Sequence, residues 1–393
     1  MENRELVHLM ENRETPVYFY DMVLLTDTLD KAIDSAGQYG YRLHYAMKAN
    51  HNEKILQTVS DRGMGADCVS GNEVKAALEN GFRPDDIVFA GVGKTDHEIK
   101  FALETGIFAF NCESLQEVEI IDQLAEEIGV RAGIFLRLNP DMDAHTHEKI
   151  TTGRAENKFG LPMEQMQSFL HRRKDFKNVE WLGLHFHIGS QITDMAVFKN
   201  LCRRINEIQD LLETKGILLP HLNVGGGLGI DYENLETGRI TNFGSYFETF
   251  HLNLKLRAGQ QLHFEPGRSL VAQSGILLSR VLFTKAGRKK QFVIIDAAMT
   301  DLLRPALYGA RHKIENLSRQ EGNSTVYEVA GPVCESSDVF AKNVVLPQTG
   351  RGDILAIYST GAYGQVMSST YNMRNPAETV YSDEIKVAVK KAG

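Results

Sequence analysis

Residues 43–50 of the chain read LHYAMKAN, a short apolar run that closes on a single lysine, Lys48. Seven further apolar runs follow, separated by longer segments in which Val, Leu and Ile recur at helical spacing and glycine often ends the pattern. The eight candidate strands are Leu43–Met47, Ala66–Val69, Ile87–Ala90, Ile107–Asn111, Gly133–Leu138, Leu182–Ile188, His221–Val224 and Gln261–Glu265. Eight strand–helix units predict a (β/α)8 barrel of the TIM type, although a doubly wound sheet could show the same alternation.

The composition of the chain changes after Pro266. The runs GILLSRVLFT, QFVIIDAA, STVYEVAG and DILAIYS are β-rich with turn residues between them, which predicts a C-terminal antiparallel β-domain. An early stretch, TPVYFYD at residues 15–21, is also strand-like, and we expect it to pair with the C-terminal domain rather than with the barrel. The expected organisation is α/β plus β, with a barrel over residues 26–262 and a β-domain formed by residues 1–25 and 263–393.

Length and charge limit the classes of function. A chain of 393 residues is long enough for a barrel plus a second domain, and its net charge of −8 argues against nucleic-acid and anionic-membrane partners. No apolar run is long enough to span a bilayer, and the N-terminus lacks the apolar core of a signal peptide. The four cysteines are scattered without metal-ligand spacing, so we expect a reduced, cytoplasmic protein.

Lys48 follows the first predicted strand, and the catalytic groups of barrels collect at the carboxyl ends of the strands. A lone lysine at such a position is more often a solvated strand-end charge. Its neighbours Ala46, Met47 and Ala49 suit instead a desolvated amine of lowered pKa that can form a Schiff base.

The sixth predicted strand ends in LHFHIGSQ, where His185 and His187 alternate and Ser190 follows in a turn. Histidines two residues apart in a strand point to the same face, and they are often a satisfied polar pair of the core. A metal site would need a third ligand, and no carboxylate or cysteine lies at suitable spacing. We therefore expect no metal here.

The seventh and eighth predicted strands end in NVGGGLGIDY and HFEPGRSL. Glycines 225–227 remove every side chain from a turn, so backbone N–H groups can approach an anion, although most glycine clusters are merely turns. The loops after strands seven and eight are the usual phosphate position of this fold. Glu265 and Arg268 bracket a Pro-Gly turn, and the simpler interpretation is a surface ion pair, which contributes little stability.

Together, four strand ends offer an amine, an imidazole, a phosphate-sized glycine loop and a carboxylate. These groups suit pyridoxal phosphate closely. Lys48 would form the Schiff base, His187 would stack on the ring, the glycines would hold the phosphate and Glu265 would pair with the pyridine nitrogen. A carboxylate partner keeps that nitrogen protonated, which makes the ring a strong electron sink.

The sequence resembles the alanine-racemase/ornithine-decarboxylase fold group of pyridoxal-phosphate enzymes, and within it the diaminopimelate decarboxylases. The resemblance runs from TPVYFYD to the C-terminus through the motifs YAMKAN, HFHIGSQ, NVGGGLGI, EPGRSLVAQSG, GPVCESSDVF and GAYGQVMSSTYNMR. Thr152, Gly153 and Lys158 fit the family's loop after the fifth strand. The resemblance implies a pyridoxal-phosphate barrel with a C-terminal β-domain, a homodimer with shared active sites, and decarboxylation of meso-2,6-diaminopimelate to L-lysine, the last step of lysine biosynthesis.

The resemblance also implies a role for each matching residue. Lys48 would be the Schiff-base lysine and His187 the residue that stacks on the cofactor ring. The cofactor contacts expected from the strand ends and the resemblance together are Lys48, His187, Ser190, Gly225, Gly226, Gly227, Glu265, Gly267, Arg268 and Tyr363.

Substrate residues follow from the same resemblance. Cys334 in GPVCESSD matches the catalytic cysteine, which is contributed across the dimer interface and is proposed to protonate the carbanion, although a lone cysteine is more often an inert buried thiol. Glu335 matches the acidic residue that recognises the distal amino group. The residues expected to hold the distal L-carboxylate are Arg268, Arg304 and Tyr308, and Tyr363 is expected to touch both cofactor and substrate.

Other functions remain open at this point. A sister decarboxylase acting on ornithine or arginine would give Arg304 and Tyr308 no distal carboxylate to hold, whereas carboxynorspermidine carries a carboxylate and is harder to exclude. An alanine racemase would place arginine at the pyridine nitrogen, where this chain has Glu265. A Schiff-base aldolase would use the glycines for a substrate phosphate, and a catalytically dead regulator would have lost Lys48 or Cys334.

Overall fold

The structure is a computed structural model that describes residues 3–11, 13–140, 158–234, 240–319 and 321–385. The chain divides into two compact units. The barrel unit comprises Leu29–Gly229 and Asn242–Gly267, and the β unit comprises Met1–Thr28, Ile230–Thr241 and Arg268–Gly393. Within the described ranges, no helix has both the length and the apolar character needed to cross a membrane.

Strands and helices alternate along the barrel unit, whereas strands predominate in the β unit. The strands are β1 Val17–Tyr20, β2 Arg42–Ala46, β3 Gly65–Cys68, β4 Ile87–Phe89, β5 Ala109–Cys112, β6 Ala132–Arg137, β7 Val179–His185, β8 His221–Asn223, β9 Gln261–Phe264, β10 Gly275–Ala286, β11 Gln291–Ile295, β12 Ile314–Asn316, β13 Ser324–Ala330, β14 Val339–Pro347, β15 Ile354–Ile357 and β16 Glu378–Tyr381. The α-helices are α1 Asn3–Met10, α2 Met22–Gly37, α3 Glu53–Ser60, α4 Gly71–Glu79, α5 Asp96–Thr105, α6 Leu115–Ile128, α7 Met163–Arg172, α8 Met195–Glu213, α9 Phe243–Asn253, α10 Arg268–Val271 and α11 Arg304–Tyr308.

Strands β2 to β9 form a closed barrel in which each strand pairs in parallel with the next and β9 returns to β2. All eight predicted strands are present, and the closure excludes the doubly wound alternative. Strand β9 continues to Phe264 and belongs to the barrel unit, so the predicted boundary after residue 262 falls inside a strand. Residues 230–241, which were expected to belong to the barrel, are grouped with the β unit.

Helices α5 and α6 of the barrel unit begin at capping side chains and end at glycines. Helix α5 starts after Thr95, whose hydroxyl accepts from the Glu98 N–H while the Glu98 carboxylate accepts from the Thr95 N–H. The Ser114 hydroxyl likewise accepts from a backbone N–H in the first turn of α6, and both helices end at glycines in the left-handed conformation, Gly106 and Gly129. Each such cap contributes about 1 kcal/mol of helix stability, and together they fix where each strand-to-helix loop begins.

Three histidines form a hydrogen-bonded chain within the barrel unit. His44 Nδ1 lies 3.0 Å from the carbonyl oxygen of Asp86, and His44 Nε2 lies 2.9 Å from His263 Nδ1. His221 Nδ1 lies 3.0 Å from His263 Nε2. Because the Asp86 carbonyl can only accept, the neutral chain has one hydrogen order: His221 donates to His263, His263 to His44, and His44 to the carbonyl.

The β unit is built on an eight-stranded sheet with the path β12-β15-β10-β11-β13-β14, and β1 pairs with β10 and β16. The expectation that TPVYFYD pairs with the C-terminal domain is confirmed, because β1 runs antiparallel to Gly275–Leu278 and parallel to β16. The sheet is mostly antiparallel, as predicted. Two pairings depart from that prediction, since β1–β16 and β11–β13 are parallel.

Candidate active site

Lys48 lies in a short 3-10 turn directly after β2, and its Nζ forms an ion pair with the Asp67 carboxylate on β3. The Lys48 side chain is 34% exposed, so the amine is partly desolvated. Its neighbour Met47 is buried, as is Asp67. Burial and the nearby Glu265 raise the pKa of Asp67, and the Lys48 ammonium opposes that rise. The barrel unit therefore holds a half-buried amine against a buried acid whose ionisation is disfavoured.

Glu265 directly follows β9 and is buried, which excludes the surface ion pair. Its Oε1 accepts from Asn111 Nδ2 at 3.0 Å and from Asn223 Nδ2 at 2.7 Å, while Oε2 lies 3.0 Å from His185 Nε2. Burial alone would raise the pKa of Glu265, but the charge and hydrogen bond of His185, with the charge of Lys48, hold it well below the usual range. The group is therefore a carboxylate at neutral pH.

His187 follows β7 and is half-buried. Its Nδ1 accepts from the backbone N–H of Gly226 at 3.3 Å, which leaves the hydrogen of a neutral ring on Nε2. Burial, together with the charges of Arg137 and Lys48, lowers the pKa of His187 well below its usual value. An uncharged, partly open imidazole can stack against an aromatic ring.

The three glycines after β8 form a turn that no other residue could make. A Cβ on Gly225 would lie 2.4 Å from the Phe186 carbonyl oxygen, and one on Gly226 would lie 2.2 Å from the Glu265 carbonyl oxygen. Gly225 and Gly227 also have φ angles of +68° and +104°, which L side chains rarely adopt. Glycine is therefore required here by close packing against the ends of β7 and β9 and by the backbone conformation, and the turn carries no side chains.

Two further cofactor candidates lie on the turns that follow β7 and β9 of the barrel unit. Ser190 is half-buried in the turn after β7. Gly267 is buried, and a Cβ there would lie 3.0 Å from the Ala46 Cβ, so the Pro-Gly turn packs closely on the end of β2. Lys158 lies with its Nζ 5.2 Å from the centre of the Phe159 ring, whereas Thr152 and Gly153 lie outside the described residues.

In the β unit, the structure brings together Arg268, Arg304 and Tyr363 from the predicted set. The phenol oxygen of Tyr232 accepts from Arg268 Nη1 at 2.6 Å and from Arg304 Nη1 at 2.9 Å. Arg268 also lies over the Tyr363 ring, 4.8 Å from its centre. His312 Nε2 lies 3.0 Å from Arg304 Nη1. Two buried guanidinium groups thus converge on one oxygen, an arrangement that suits a bound anion.

The remaining predicted substrate residues lie elsewhere on the β unit. Tyr308 is the last residue of α11, one helical turn after Arg304, so both lie on one side of that helix. Cys334 and Glu335 lie in the exposed loop between β13 and β14, and Cys334 Sγ is 3.4 Å from Asn372 Oδ1. The other three cysteines are buried, so the inert buried thiol describes them and not Cys334.

The chain is similar to proteins of one family of decarboxylases. The sequence model of the family described as "Pyridoxal-dependent decarboxylase, pyridoxal binding domain" matches residues 27–272. A diaminopimelate decarboxylase from Bacteroides thetaiotaomicron is 52% identical over 373 residues, which cover 95% of this chain and 96% of that protein. The chain belongs to the diaminopimelate decarboxylase family. The resemblance expected from the sequence motifs is thereby confirmed.

Two further comparisons agree with this membership of the diaminopimelate decarboxylases. The diaminopimelate decarboxylase of Zymomonas mobilis is 39% identical over 397 residues, covering 100% of this chain and 93% of that protein. The crystal structure of Helicobacter pylori diaminopimelate decarboxylase complexed with L-lysine matches with a TM-score of 0.90 at 38% identity, covering 96% of this chain and 94% of that chain. The chain is therefore a pyridoxal-phosphate-dependent decarboxylase.

The barrel unit fits the cofactor of the diaminopimelate decarboxylases on structural grounds. Among the described residues, five buried polar atoms of this unit have no hydrogen-bond partner, and three of them, Asp67 Oδ1, Asn111 Oδ1 and His185 Nδ1, belong to side chains that contact Lys48 or Glu265. Buried polar atoms of native proteins are nearly always satisfied, so such a cluster indicates a ligand site. In the glycine turn, the N–H groups of Gly225 and Gly226 donate to Asn223 Oδ1 and His187 Nδ1, which leaves the Gly227 N–H for a ligand. Glu265 offers an ionised acceptor. No group of three or more metal-ligating side chains occurs in the described part of the chain.

Several residues of the candidate site were not predicted from the sequence. Asp67 and Asn111 lie at or near the carboxyl ends of β3 and β5, where a polar residue interrupts an apolar run, which is the signal that singled out Lys48. Asn223 lies within a quoted motif but was passed over beside the glycines. Tyr232 and His312 had no sequence signal, because their role depends on a contact with Arg304, 72 and 8 residues away.

Proposed function

We propose that this chain decarboxylates meso-2,6-diaminopimelate to L-lysine and CO2, with Lys48 as the residue that holds pyridoxal phosphate. The observation that carries the choice of substrate is the pair of buried arginines, Arg268 and Arg304, on the Tyr232 oxygen. Among the described residues, no carboxylate lies within ion-pair distance of Arg304. A substrate that keeps a second carboxylate after decarboxylation supplies the missing anion, and ornithine and arginine do not.

The barrel residues serve the cofactor. Pyridoxal phosphate, when bound, supplies an electron sink for the electron pair left when the bond to the departing carboxylate breaks. Glu265, ionised and held by Asn111, Asn223 and His185, would keep a proton on the ring nitrogen. His187 would lie against the ring as a neutral imidazole, and the glycine turn would donate the Gly227 N–H to the phosphate. The hydrogen bonds of Glu265 to Asn111, Asn223 and His185 fix the orientation of its carboxylate.

Lys48 has two tasks in this proposal. Its amine would hold the cofactor covalently until the substrate amine takes its place, and would take the cofactor back when lysine leaves. Asp67 pairs with the ammonium form in the structure. Because burial raises the pKa of Asp67, the acid also offers a nearby position for a proton when the amine must be neutral to react.

The β unit residues serve the substrate. We assign the distal carboxylate to Arg268, Arg304 and Tyr308, and the distal ammonium to Glu335. Cys334 would deliver a proton to the α-carbon after CO2 departs, and Tyr363 would contact both ligands. The Tyr363 backbone has a φ of +56°, and such strain in a non-glycine residue is typical of functional positions.

We further propose a cytoplasmic homodimer in which each site receives Cys334 from the partner subunit. The exposed position of Cys334 and Glu335 supports a role across an interface. Mixing Lys48→Ala with Cys334→Ala protein, followed by subunit exchange, tests this arrangement. Shared sites predict that about a quarter of the sites regain full function, because each mixed dimer then holds one intact site. No recovery would show that each Cys334 serves its own chain.

The substrate assignment is tested by release of CO2 from four candidates. The purified protein with pyridoxal phosphate is incubated with meso-diaminopimelate, L-ornithine, L-arginine and carboxynorspermidine. We expect release from diaminopimelate alone, and Lys48→Ala protein serves as the blank. Faster release from any of the other three would assign the chain to a sister decarboxylase.

A further inference from the structure

Arg304 of the β unit has one of its two terminal nitrogens fully committed to the protein. Nη1 carries two hydrogens, and it lies 2.9 Å from the Tyr232 hydroxyl oxygen and 3.0 Å from His312 Nε2. Both hydrogens of Nη1 are therefore used. No described residue accepts a hydrogen bond from Arg304 Nε or Nη2. These two nitrogens form the side of the guanidinium that binds a carboxylate through two parallel hydrogen bonds.

The tautomer of His312 is fixed by its second partner. His312 Nδ1 lies 2.8 Å from the backbone carbonyl oxygen of Tyr358, directly after β15. A carbonyl only accepts, so Nδ1 carries the hydrogen and Nε2 must accept from Arg304. This bonding requires a neutral ring, and burial, with the charge of Arg304, lowers the pKa of His312 to about 3. The imidazole is thus a rigid neutral link between a strand end and the guanidinium.

Tyr232 is the second fixed contact. Its oxygen accepts from both Arg268 and Arg304, which occupies both lone pairs. Its ring also lies 4.9 Å from the Arg304 guanidinium carbon and 5.0 Å from the His312 ring, nearly perpendicular to the latter. The phenol therefore holds two positive groups close together in a buried place, where their mutual repulsion favours an anion as a third member.

We propose that Tyr232 and His312 are positioning residues that hold Arg304 with its Nε–Nη2 side free for the distal carboxylate of the substrate, and so set the preference for substrates that carry it. This inference rests on the proposed function, which assigns that carboxylate to Arg268 and Arg304. Without the two contacts, Arg304 would keep its charge but lose its fixed direction. Affinity for the carboxylate would then fall, while affinity for a ligand without one would not.

The test uses two competitive ligands that differ in one group. L-lysine keeps the carboxylate that Arg304 would hold, and cadaverine lacks it. Tyr232→Phe retains the ring but removes the oxygen, and we expect it to raise the KM for diaminopimelate and the Ki for L-lysine about tenfold, as expected for a lost hydrogen bond to a charged group. The Ki for cadaverine and the visible absorbance of the bound cofactor should not change.

His312 provides a second pair of variants. Gln can accept from Arg304 through Oε1 and donate to the Tyr358 carbonyl through Nε2, whereas Phe can do neither. We expect His312→Phe to repeat the effect of Tyr232→Phe and His312→Gln to recover most of the affinity for L-lysine. Tyr327→Phe is the matched control, because it removes another buried tyrosine oxygen of the β unit, one that accepts from the Thr349 N–H at 3.2 Å.

Each outcome bears on the proposal. An equal rise of both inhibition constants in Tyr232→Phe, or no rise in either, overturns it, as does an equal effect of Tyr327→Phe. Should Tyr232→Phe not fold, the contrast between His312→Phe and His312→Gln gives the same decision. If the unaltered protein does not decarboxylate diaminopimelate, the proposed function fails, while the comparison of L-lysine with cadaverine still tests Tyr232 and His312 as a carboxylate site.

Discussion

Two neighbouring strands of the barrel each present a pair of polar residues on one face. The pair of β9 is His263 and, two residues further along the chain, Glu265. The pair of β8 is His221 and Asn223. The first residue of each pair belongs to the neutral histidine chain that also includes His44. The second belongs to the network around the Glu265 carboxylate. We call the first group, His44, His221 and His263, the histidine layer, and the second, Glu265 with Asn111, Asn223 and His185, the Glu265 layer. The histidine layer is neutral and the Glu265 layer carries a carboxylate, although β8 and β9 contribute to both.

The difference lies in how far the protein satisfies its own polar atoms. In the histidine chain every shared hydrogen has a donor and an acceptor, and the order ends at the Asp86 carbonyl. Around Glu265, by contrast, Asn111 Oδ1 and His185 Nδ1 have no partner among the described residues. A closed network contributes to stability, whereas an open one awaits a ligand. We therefore expect substitutions in the Glu265 layer to affect turnover and those in the histidine layer to affect stability.

The largest effect is expected at Lys48. Lys48→Ala removes the only group proposed to hold the cofactor covalently, so visible absorbance should disappear and turnover should fall on the order of 10⁴-fold or more. Lys75→Ala, on the exposed surface of α4, is the control and should behave like the unaltered protein. Measurable turnover above about one-hundredth of normal in Lys48→Ala would contradict its role.

Glu265→Gln should have the next largest effect. It keeps the shape of the side chain but removes the charge that would hold a proton on the ring nitrogen. We expect turnover to fall about 10²- to 10³-fold while the cofactor remains bound, as measured by its absorbance after dialysis. A variant with normal turnover would show that the carboxylate at this position is structural.

Cys334→Ala should slow turnover without affecting cofactor binding. The proposed loss is that of one proton donor, which is about 10²-fold in rate. Cys202→Ala, in the buried face of α8, is the control and should lower stability but leave turnover unchanged. Full activity in Cys334→Ala would remove the assigned role.

The contrast between the two layers also explains what the sequence could predict. The eight strands and the residues at their ends were predictable, because a short apolar run marks a buried strand and a charged or glycine residue after it is unusual. Contacts across the barrel were not predictable. Asn111 meets Glu265 across 154 residues, and His44 meets His263 across 219. Register and closure bring such pairs together, and a single sequence does not fix either in detail.

The exposure of Cys334 was also not predictable from the sequence. The motif around it identified the family, but no pattern in the sequence distinguishes an exposed loop thiol from a buried one. The thiol of Cys334 is exposed in the loop between β13 and β14, whereas Cys68 and Cys112 are buried in the barrel strands β3 and β5. The exposure of a cysteine side chain depends on which elements pack around it, and that is a property of the folded protein.

The smallest expected effect is a dependence of stability on pH that arises from the histidine chain. Burial lowers the pKa of His44, His221 and His263 in the folded protein. Arg42 further lowers the pKa of all three, while Glu265 opposes the shift at His44 and His263, and Asp86 opposes it at His44. In the unfolded chain each histidine titrates near pH 6.5.

The sign follows from proton uptake. Below about pH 6.5 the unfolded chain binds protons that the folded chain does not, so the free energy of unfolding falls as the pH falls, by up to about 1.4 kcal/mol per pH unit for each histidine. Above that pH the contribution is fully present. His221→Leu removes one of the three groups and should reduce the fall in Tm between about pH 7.5 and about pH 5.5, with turnover at neutral pH unchanged. His8→Leu, whose histidine side chain is 82% exposed on α1, should leave that fall as it is. An identical fall in Tm in both variants would mean that the histidine chain does not take up protons on unfolding. The histidine layer would then make no pH-dependent contribution to stability.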